Sequence, residues 1–384
     1  MAYFDNAATT FPKPECVYSF MDSFYREHGG NAGRGNHALS MTAGKLVFDT
    51  RARLKEVLHC QSKEIIFTPT ATIALNMILQ GLLLDKKRRI RTVYISPFEH
   101  NAVTRTLHHF EELDTIIVKT LPIAVNLAYD FSEIEDEFKK EPPDLLIISH
   151  ASNVIGLVSP VENLCRLAKK FNAVTVIDMA QTAGLVDLNV GLEIIDFVVF
   201  AGHKTLYGPT GISGFAMKND FDLPPLLLGG TGYESSNQEM PLDIPQRYEM
   251  GTLNIAGIAG LYASTGWILE NGIDKLFRRE QEHRARLLEI LEQYDFIKIV
   301  GNFPQNLYVG IVSCLIEGIP SDTAASIFAE QNIAVRTGLH CAPLAHKTLG
   351  TFPAGTVRFS TEYFTNENAF TELKYVLEYI KGNL

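Results

Sequence analysis

Short apolar runs alternate with segments of helical periodicity from about residue 64 to residue 217. The apolar runs predict seven strands, which read EIIFT, TVYIS, TIIVKTL, LLIISH, VTVID, FVVFA and GISGFAM. Between them, residues 71–83, 101–113 and 161–171 repeat apolar positions at helical spacing. Alternating strands and helices are typical of βαβ units, so the pattern predicts an α/β fold with a parallel-rich sheet. Ligands of such sheets bind at the carboxyl ends of the strands.

The pattern changes after residue 220. Residues 221–250 are rich in Gly, Pro, Ser and Asn, which predicts a long functional loop. Residues 257–294 are mostly helical in pattern. The remainder predicts a compact α+β unit, with strands YVGIVSCLI and TVRFS and helices near residues 321–331 and 366–380.

Composition narrows the possible partners. The 384 residues are 46% hydrophobic, enough for one large core and a smaller second one, and the net charge is −10. We therefore expect neither nucleic acid nor an acidic membrane surface as a partner. The longest apolar segment, residues 72–84, is interrupted by polar residues and glycine, and the N-terminus MAYFDNAATT lacks the pattern of a signal peptide. These features favour a cytoplasmic protein.

Polar side chains follow most strands of the predicted sheet. Polar strand ends are common in general, but here they supply a carboxylate, an amine, two imidazoles and an amide at one edge. These are Asp178, Lys204, His100, His203 and Asn153. This set suits pyridoxal 5'-phosphate, whose site must bind a phosphate, form a Schiff base and keep a pyridine nitrogen protonated. Residues 68–72 begin a helix after a strand, which favours phosphate binding at the helix N-terminus.

The five cysteines are scattered and contain no CxxC pair, which argues against a disulfide framework and a structural zinc site. Cys165 shares an apolar helix face and Cys314 lies in an apolar strand, so both are predicted core residues. Cys341 stands instead in the loop sequence RTGLHCAPLAH. From the residues alone it is a reactive thiol, an inert loop cysteine, or part of a metal site with His340 and His346.

The chain resembles class V (fold-type I) pyridoxal-phosphate enzymes, and within them the cysteine desulfurase and selenocysteine lyase family. Eleven segments carry the resemblance in the family's order: YFDNAATT, GRGNHALS, FTPTATIALN, EHNAV, SHASNVIG, IDMAQTAG, FAGHK, YGPTGI, RYEMGTLN, RTGLHCAP and VRFS. The resemblance implies a large domain, residues 1–260, with a mostly parallel seven-stranded sheet. It also implies a small α+β domain, residues 261–384, that carries a nucleophile loop and receives the N-terminal residues 1–20.

The resemblance assigns expected roles to individual residues. Around the cofactor ring, Lys204 would be the Schiff-base lysine, Asp178 would contact the pyridine nitrogen and Gln181 the ring hydroxyl. His100 would stack on the ring and help proton transfer. The phosphate would be held by Thr70, Ala71 and His203, and Thr252 would reach the phosphate of a partner subunit in a homodimer. The substrate contacts would be Asn153 and Arg358 at the carboxylate, with Arg34 and His37 in the N-terminal active-site loop. Cys341 would be the nucleophile. No metal site is expected.

Two departures from the family pattern stand beside these matches. Ala201 replaces a serine that many relatives have in FSGHK, so one phosphate hydroxyl contact is lost, and one extra residue, Thr205 or Leu206, follows Lys204.

The expected activity is conversion of L-cysteine to L-alanine, with a persulfide on Cys341 and sulfur transfer to an acceptor, as in iron–sulfur cluster assembly. The alternatives are a selenocysteine lyase acting on L-selenocysteine, a class V aminotransferase or other lyase, and a non-catalytic binding protein of the same fold.

Overall fold

The computed structural model describes residues 1–33, 35–233 and 236–383. Its strands are β1 Ala2–Tyr3, β2 Lys63–Thr68, β3 Thr92–Ile95, β4 Ile117–Thr120, β5 Leu145–Ser149, β6 Val174–Asp178, β7 Phe197–Ala201, β8 Ser213–Lys218, β9 Ile297–Val300, β10 Ile311–Ile316, β11 Ile333–Ala334, β12 Arg336–Gly338 and β13 Thr356–Ser360. Its helices are α1 Glu15–His28, α2 Ala38–Val57, α3 Ala71–Leu84, α4 Asn101–Glu112, α5 Phe131–Lys140, α6 Val161–Lys169, α7 Ile255–Asn271, α8 Ile273–Leu291, α9 Ser321–Glu330, α10 Pro343–Thr348 and α11 Glu367–Lys381.

The large sheet has seven strands in the order β2-β8-β7-β6-β5-β3-β4. Only β8 runs antiparallel to its neighbours, and the other pairs are parallel. The seven strands predicted from the apolar runs and the mostly parallel sheet are therefore confirmed. Because β5, β6 and β7 are parallel neighbours, the residues that follow them meet at one edge of the sheet.

Side chains of the large sheet alternate between two apolar layers. Ile65, Leu146 and Val198 pack with α2, α6 and α7, whereas Ile66, Ile147 and Val199 pack with α3 and α4 on the opposite face. Strands that are buried on both faces read as continuous apolar runs, which is the pattern seen in FVVFA and LLIIS. The sheet is thus a rigid base for whatever its strand ends carry.

The C-terminal sheet has four strands in the order β12-β13-β10-β9 and packs against α8, α9 and α11. Ala2 and Phe4 contribute to this core, and β1 pairs in parallel with β11. The first residues of the chain thus lie on the C-terminal unit, whereas α1 packs against α7. The proposed division into residues 1–260 and 261–384 stays a prediction, and its boundary falls within α7.

One feature differs from the sequence pattern, and another follows it. The helical region predicted over residues 257–294 is two helices, because Gly272 has a φ of 82° and separates α7 from α8. In the predicted loop of residues 221–250, the described residues form neither helix nor strand. Over the three described ranges, no helix combines the length and the apolar character that crossing a bilayer needs.

Gly214 in β8 is required where three strands pack closely. A Cβ atom there would overlap the carbonyl oxygen of Ile66 and lie 2.7 Å from the ring of Phe200. We expect Gly214→Ala to destabilise the protein by about 1–3 kcal/mol through overpacking, measured by denaturant unfolding. Gly382→Ala is the control, since its Cβ would make only ordinary contacts, and an equal effect of both substitutions would contradict this account.

Candidate active site

A cavity of about 230 Å³ opens at the carboxyl ends of the large sheet's strands. It contains eight residues that sequence reasoning assigned to a site, contributed by five different strand ends. They are Thr70, Ala71, His100, Asn153, Asp178, Gln181, His203 and Lys204. The sheet topology therefore brings together residues that are up to 134 positions apart in the chain.

One end of the cavity has the donors that an anion needs. Thr70 caps α3 by accepting a hydrogen bond from the Ile73 amide at 3.2 Å. The amides of Ala71 and Thr72 are the first of α3 and have no carbonyl within the helix to bind. His203 adds a buried Nδ1 without a partner in the described part of the chain, and Ala201 lines the wall without a hydroxyl. A helix N-terminus and an unpartnered imidazole suit a phosphate group.

Asp178 is the carboxylate at the floor of the cavity. Its Oδ1 accepts a hydrogen bond of 2.8 Å from the Ala180 amide, and the residue ends β6 opposite Ser149 of β5. Burial raises the pKa of Asp178, while the Ala180 bond and the Lys204 ammonium lower it. A buried carboxylate is stabilised by a facing cation, such as a protonated pyridine nitrogen.

Lys204 follows β7 and points its amine into the same cavity. Burial lowers its pKa to about 8, although Asp178 favours the charged form. The surrounding backbone is fixed from the N-terminal segment, because Thr9 and Lys13 donate to the carbonyl of His203 and Thr10 donates to that of Lys204. Sequence reasoning missed this support, and its only signal was the segment DNAATT shortly before Lys13, whose Asp, Asn and Thr side chains can form hydrogen bonds.

Two imidazoles of the cavity are held neutral. Burial, reinforced by the Lys204 ammonium, lowers the pKa of His100 to about 4, and the same causes lower the pKa of His203 to about 4. His100 also caps α4, since its Nδ1 accepts a 3.0 Å hydrogen bond from the Ala102 amide. The orientation of the His100 ring is thereby fixed, with Nδ1 as the acceptor.

Gln181 reaches the cavity from the turn after β6. Its Nε2 donates to the carbonyl of Ala7 at 2.9 Å, which ties the N-terminal segment to the cavity wall. The amide has a second N–H and a carbonyl oxygen, so this bond leaves part of its hydrogen-bonding capacity available for a ligand.

Cys341 approaches the cavity from the C-terminal unit. The residue is exposed, and Lys204 and Cys341 are coupled electrostatically. Two hydrogen bonds fix its backbone: the Asn101 amide donates to the Cys341 carbonyl at 2.7 Å, and Asn153 Nδ2 donates to the His340 carbonyl at 2.6 Å. The described ranges contain no group of three or more His, Cys, Asp or Glu side chains that could hold a metal ion.

The other cysteines have different surroundings. Cys165 and Cys314 are fully buried, as predicted, and burial raises the pKa of each thiol to about 12. Cys60 is buried as well, whereas Cys16 is exposed. Cys341 and Cys16 are therefore the exposed thiols of the described chain, and Cys341 is the one whose backbone is tied to residues of the cavity.

Arg358 lies beside Asn153, behind the Cys341 backbone. Its guanidinium is buried and donates to the Asn153 carbonyl at 2.8 Å and to Asp5 Oδ1 at 2.9 Å. Arg358 Nε and Asn153 Oδ1 are buried and lack partners among the described residues. Unpaired buried polar atoms are costly, which indicates that a polar ligand completes this corner. Sequence reasoning missed Asp5, although it lies in the quoted segment YFDNAATT.

Four predicted site residues that the structure describes do not line this cavity: Cys341, Arg358, Thr252 and His37. Thr252 lines a separate cavity of about 600 Å³ with Gly230 and Gln246. His37 is exposed and caps α2 by accepting from the Ser40 amide at 3.3 Å. Arg34 lies outside the described residues. The role assigned to each predicted site residue stays a prediction.

Glu99 is a buried acid that sequence reasoning did not assign. It accepts hydrogen bonds from the Ser96 hydroxyl at 2.5 Å and from the amide and hydroxyl of Ser149 at 2.6 and 2.9 Å. Burial raises its pKa to about 8, and the neighbouring charge of Asp178 adds to the shift. A protonated Glu99 adds no negative charge beside Asp178.

Comparison with known proteins identifies the family of this chain. The family model described as "Aminotransferase class-V" matches residues 2–376. A probable cysteine desulfurase of Methanothermobacter thermautotrophicus is 33% identical over 99% of this chain and 94% of its own length. A probable cysteine desulfurase of Xylella fastidiosa is 32% identical over 89% of this chain and 82% of its own length.

Solved structures give the same result for the fold. The apo structure of the cysteine desulfurase from Thermococcus onnurineus is similar with a TM-score of 0.89 and 29% identity, over 100% of this chain and 95% of that one. The similarity thus extends over both sheets and includes every strand end that lines the cavity.

Glu99 provides a test of the cavity's charge state through stability. Its folded-state pKa is raised above the unfolded value of about 4.3, so its contribution to stability is present below that value and is lost as the pH rises through about 8. Glu99→Gln mimics the neutral acid and cannot ionise. We expect its melting temperature relative to the native protein to be several degrees higher at pH 8 than at pH 5.

Glu372→Gln is the matched control, because Glu372 is exposed on α11. Its melting temperature is expected to follow that of the native protein at both pH values. A constant difference between Glu99→Gln and the native protein from pH 5 to pH 8 would show that Glu99 is ionised throughout.

Proposed function

The chain belongs to the aminotransferase class-V family, and we propose that within it the protein acts as a cysteine desulfurase. It would convert L-cysteine to L-alanine, keep the sulfur as a persulfide on Cys341 and pass it to an acceptor. The observation that carries the proposal is that the backbone beside the exposed Cys341 is hydrogen-bonded to Asn153, which lines the same cavity as Lys204, and that Lys204 and Cys341 are coupled electrostatically.

Enzymes of this family depend on pyridoxal 5'-phosphate, and the residues of the cavity fit this cofactor. The first amides of α3 and His203 would hold the phosphate, Asp178 would bind the pyridine nitrogen, and Lys204 would bind the aldehyde carbon. Once bound, the cofactor supplies an electron sink that makes the α-proton of an amino acid acidic.

Lys204 is suited to move the substrate's α-proton. With a pKa lowered to about 8, a substantial fraction of the amine is neutral near physiological pH, whereas an ordinary lysine is almost wholly charged. Its backbone is fixed by donors from the N-terminal segment, which limits its range to the cavity. Lys204 therefore combines the basicity and the position that proton transfer needs.

Arg358 and Asn153 are suited to recognise the carboxylate of L-cysteine. The guanidinium is held on both sides by Asp5 and by the Asn153 backbone, and its Nε lacks a partner among the described residues. A carboxylate at this corner would satisfy the remaining N–H groups and offset the cost of burying them. The substrate's amino and thiol groups would then extend toward Lys204 and Cys341.

Cys341 would take the sulfur directly. Its thiolate attacks the substrate sulfur, an S–S bond forms, and the C–S bond breaks with its electron pair left on the carbon framework, which gains a proton to become alanine. The net change is one L-cysteine and one Cys341 thiol giving one L-alanine and one persulfide. Holding the thiol beside the bound substrate replaces a bimolecular encounter, a saving of up to about 7–11 kcal/mol.

The proposal includes a homodimer and a sulfur acceptor. Thr252 would reach the phosphate site of the partner subunit, and Arg34 and His37 would belong to the N-terminal active-site loop. The cavity of about 600 Å³ that Thr252 lines is open to such a partner. The acceptor would meet Cys341 from the solvent side, where the thiol is exposed.

Cys341→Ser tests the nucleophile. We expect the holoprotein to keep its visible cofactor absorption but to lose alanine production and the mass increase of one sulfur atom on the peptide that contains residue 341. Cys16→Ala, the other exposed cysteine, should leave both readouts unchanged. Full alanine production by Cys341→Ser would contradict the proposal. If that variant released selenium from L-selenocysteine but no sulfur from L-cysteine, the result would favour a selenocysteine lyase.

Arg358→Lys tests the carboxylate site. A lysine offers a point charge where the guanidinium offers two parallel donors, so we expect KM for L-cysteine to rise roughly 10–100-fold. Arg286→Lys, at a partly exposed position of α8 away from the cavity, controls for the loss of an arginine. An unchanged KM in Arg358→Lys would exclude the assigned role.

A further inference from the structure

The backbone at the proposed nucleophile has an unusual conformation. His340 and Cys341 are consecutive residues with φ values of 48° and 57°, in the left-handed region. Non-glycine residues rarely occupy this region, and two in a row persist only where surrounding contacts hold them. We refer to residues 338–342 as the Cys341 loop.

The His340 side chain is buried and begins a chain of hydrogen bonds. Its Nε2 lies 2.9 Å from the Thr356 hydroxyl, which donates to the Ser313 hydroxyl at 3.1 Å. The Ser313 hydroxyl in turn donates to the Val154 carbonyl at 2.6 Å. The chain thus runs from the Cys341 loop through β13 and β10 to the segment after β5 of the large sheet.

The direction of these bonds fixes the state of the imidazole. Because the Thr356 and Ser313 hydrogens are both donated onward, His340 Nε2 must carry the hydrogen that Thr356 accepts. Burial lowers the pKa of His340 to about 2, so the ring is neutral and Nδ1 is an acceptor. Nδ1 has no partner among the described residues, so the Nε2 bond is the side chain's anchor.

The anchored residue carries the contacts that tie the loop to the cavity. The His340 carbonyl accepts from Asn153 Nδ2, and the next carbonyl, of Cys341, accepts from the Asn101 amide. Asn101 follows His100, so the thiol-bearing residue is bonded directly to the start of α4. A rotation of the His340 backbone would break both contacts.

We propose that His340 is a positioning residue, whose hydrogen bond to Thr356 holds the left-handed backbone of the Cys341 loop so that the thiol faces the cavity. The inference rests on the proposed function, because it concerns the group that would accept sulfur. His340 acts through Cys341 and does not touch the reacting atoms.

Two substitutions separate the hydrogen bond from the backbone preference. In His340→Gln the side-chain amide nitrogen replaces Nε2 and can still donate to Thr356. In His340→Asn the amide is too short to reach Thr356, yet asparagine tolerates the left-handed region better than glutamine does. If the hydrogen bond to Thr356 holds the loop, His340→Gln should preserve sulfur transfer better than His340→Asn. If only the backbone preference of the residue holds the loop, His340→Asn should preserve it better.

The experiment uses the holoprotein and two readouts. One is the first-turnover rate of sulfur transfer from L-cysteine to Cys341, followed by quenched mass spectrometry. The other is hydrogen exchange of the Asn101 amide, which reports the bond to the Cys341 carbonyl without requiring catalysis. Thr356→Val removes the hydroxyl that accepts the hydrogen bond from His340. Thr351→Val is the matched control, because it removes a hydroxyl that lies 2.7 Å from Nδ1 of the neighbouring buried His346.

We expect His340→Asn and Thr356→Val to slow first-turnover sulfur transfer by about 10–100-fold, because small displacements of a reacting group are costly. In both variants the Asn101 amide should also lose its protection against hydrogen exchange. His340→Gln and Thr351→Val should stay within about threefold of the native rate and keep that protection. Equal or better performance of asparagine over glutamine in both readouts would overturn the proposal. So would native behaviour of all four variants.

The two readouts also separate this inference from the proposed function. If the native protein transfers no sulfur but Asn101 protection follows the expected order, the desulfurase proposal fails and the positioning role stands. If sulfur is transferred and none of the variants alters the rate or the protection, the desulfurase proposal stands and the positioning role fails.

Discussion

The attachment of the Cys341 backbone to the large sheet is the constraint on which the site depends. Two hydrogen bonds, from the Asn101 amide and from Asn153, join the loop of the C-terminal unit to the strand ends that carry the cavity. They fix the backbone of a thiol-bearing residue that is 137 positions from Lys204 in the chain. The N-terminal segment reinforces the arrangement, because Asp5 binds Arg358 while Thr9, Thr10 and Lys13 hold the backbone at Lys204.

Burial sets the charges inside the cavity. It lowers the pKa of Lys204 to about 8 and that of His100 to about 4, and it raises that of Glu99 to about 8. The result near neutral pH is a neutral imidazole, a protonated buried acid and an amine close to its titration point. Among the described residues, four of the six buried side-chain atoms without partners belong to His203, Asn153, His340 and Arg358, and the other two belong to His346 and Arg284. Unpaired buried polar atoms cost stability, so those at His203, Asn153 and Arg358 favour a polar ligand at this site.

Much of the fold could be predicted because its strands are buried on both faces. The seven apolar runs of the large sheet stand out from the polar segments between them, and parallel connection then places their ends together. The N-terminal helices α1 and α2 gave no comparable signal, since each mixes polar and apolar residues and packs mainly through contacts with α7. The break between α7 and α8 at Gly272 could not be predicted either, because a glycine within a helical pattern does not by itself indicate a positive φ.

The residues of the candidate site also fall into two groups, those that could be predicted from the sequence and those that could not. Side chains at strand ends, such as Asp178 and Lys204, could be predicted because sequence position fixes their place at the sheet edge. Asp5, Glu99 and the bond from His340 to Thr356 could not, since each depends on how separate segments pack in three dimensions. Resemblance supplied the role of Cys341, and the structure adds the hydrogen bonds that tie its loop to Asn153 and Asn101.

A crystal structure of the protein loaded with pyridoxal 5'-phosphate tests the central claim most directly. The account predicts continuous electron density from Lys204 Nζ to the cofactor, the phosphate on the first amides of α3, and the Cys341 thiol facing the same molecule from the C-terminal unit. A cofactor bound elsewhere, or a Cys341 side chain that faces away from it across the protein, would contradict the account.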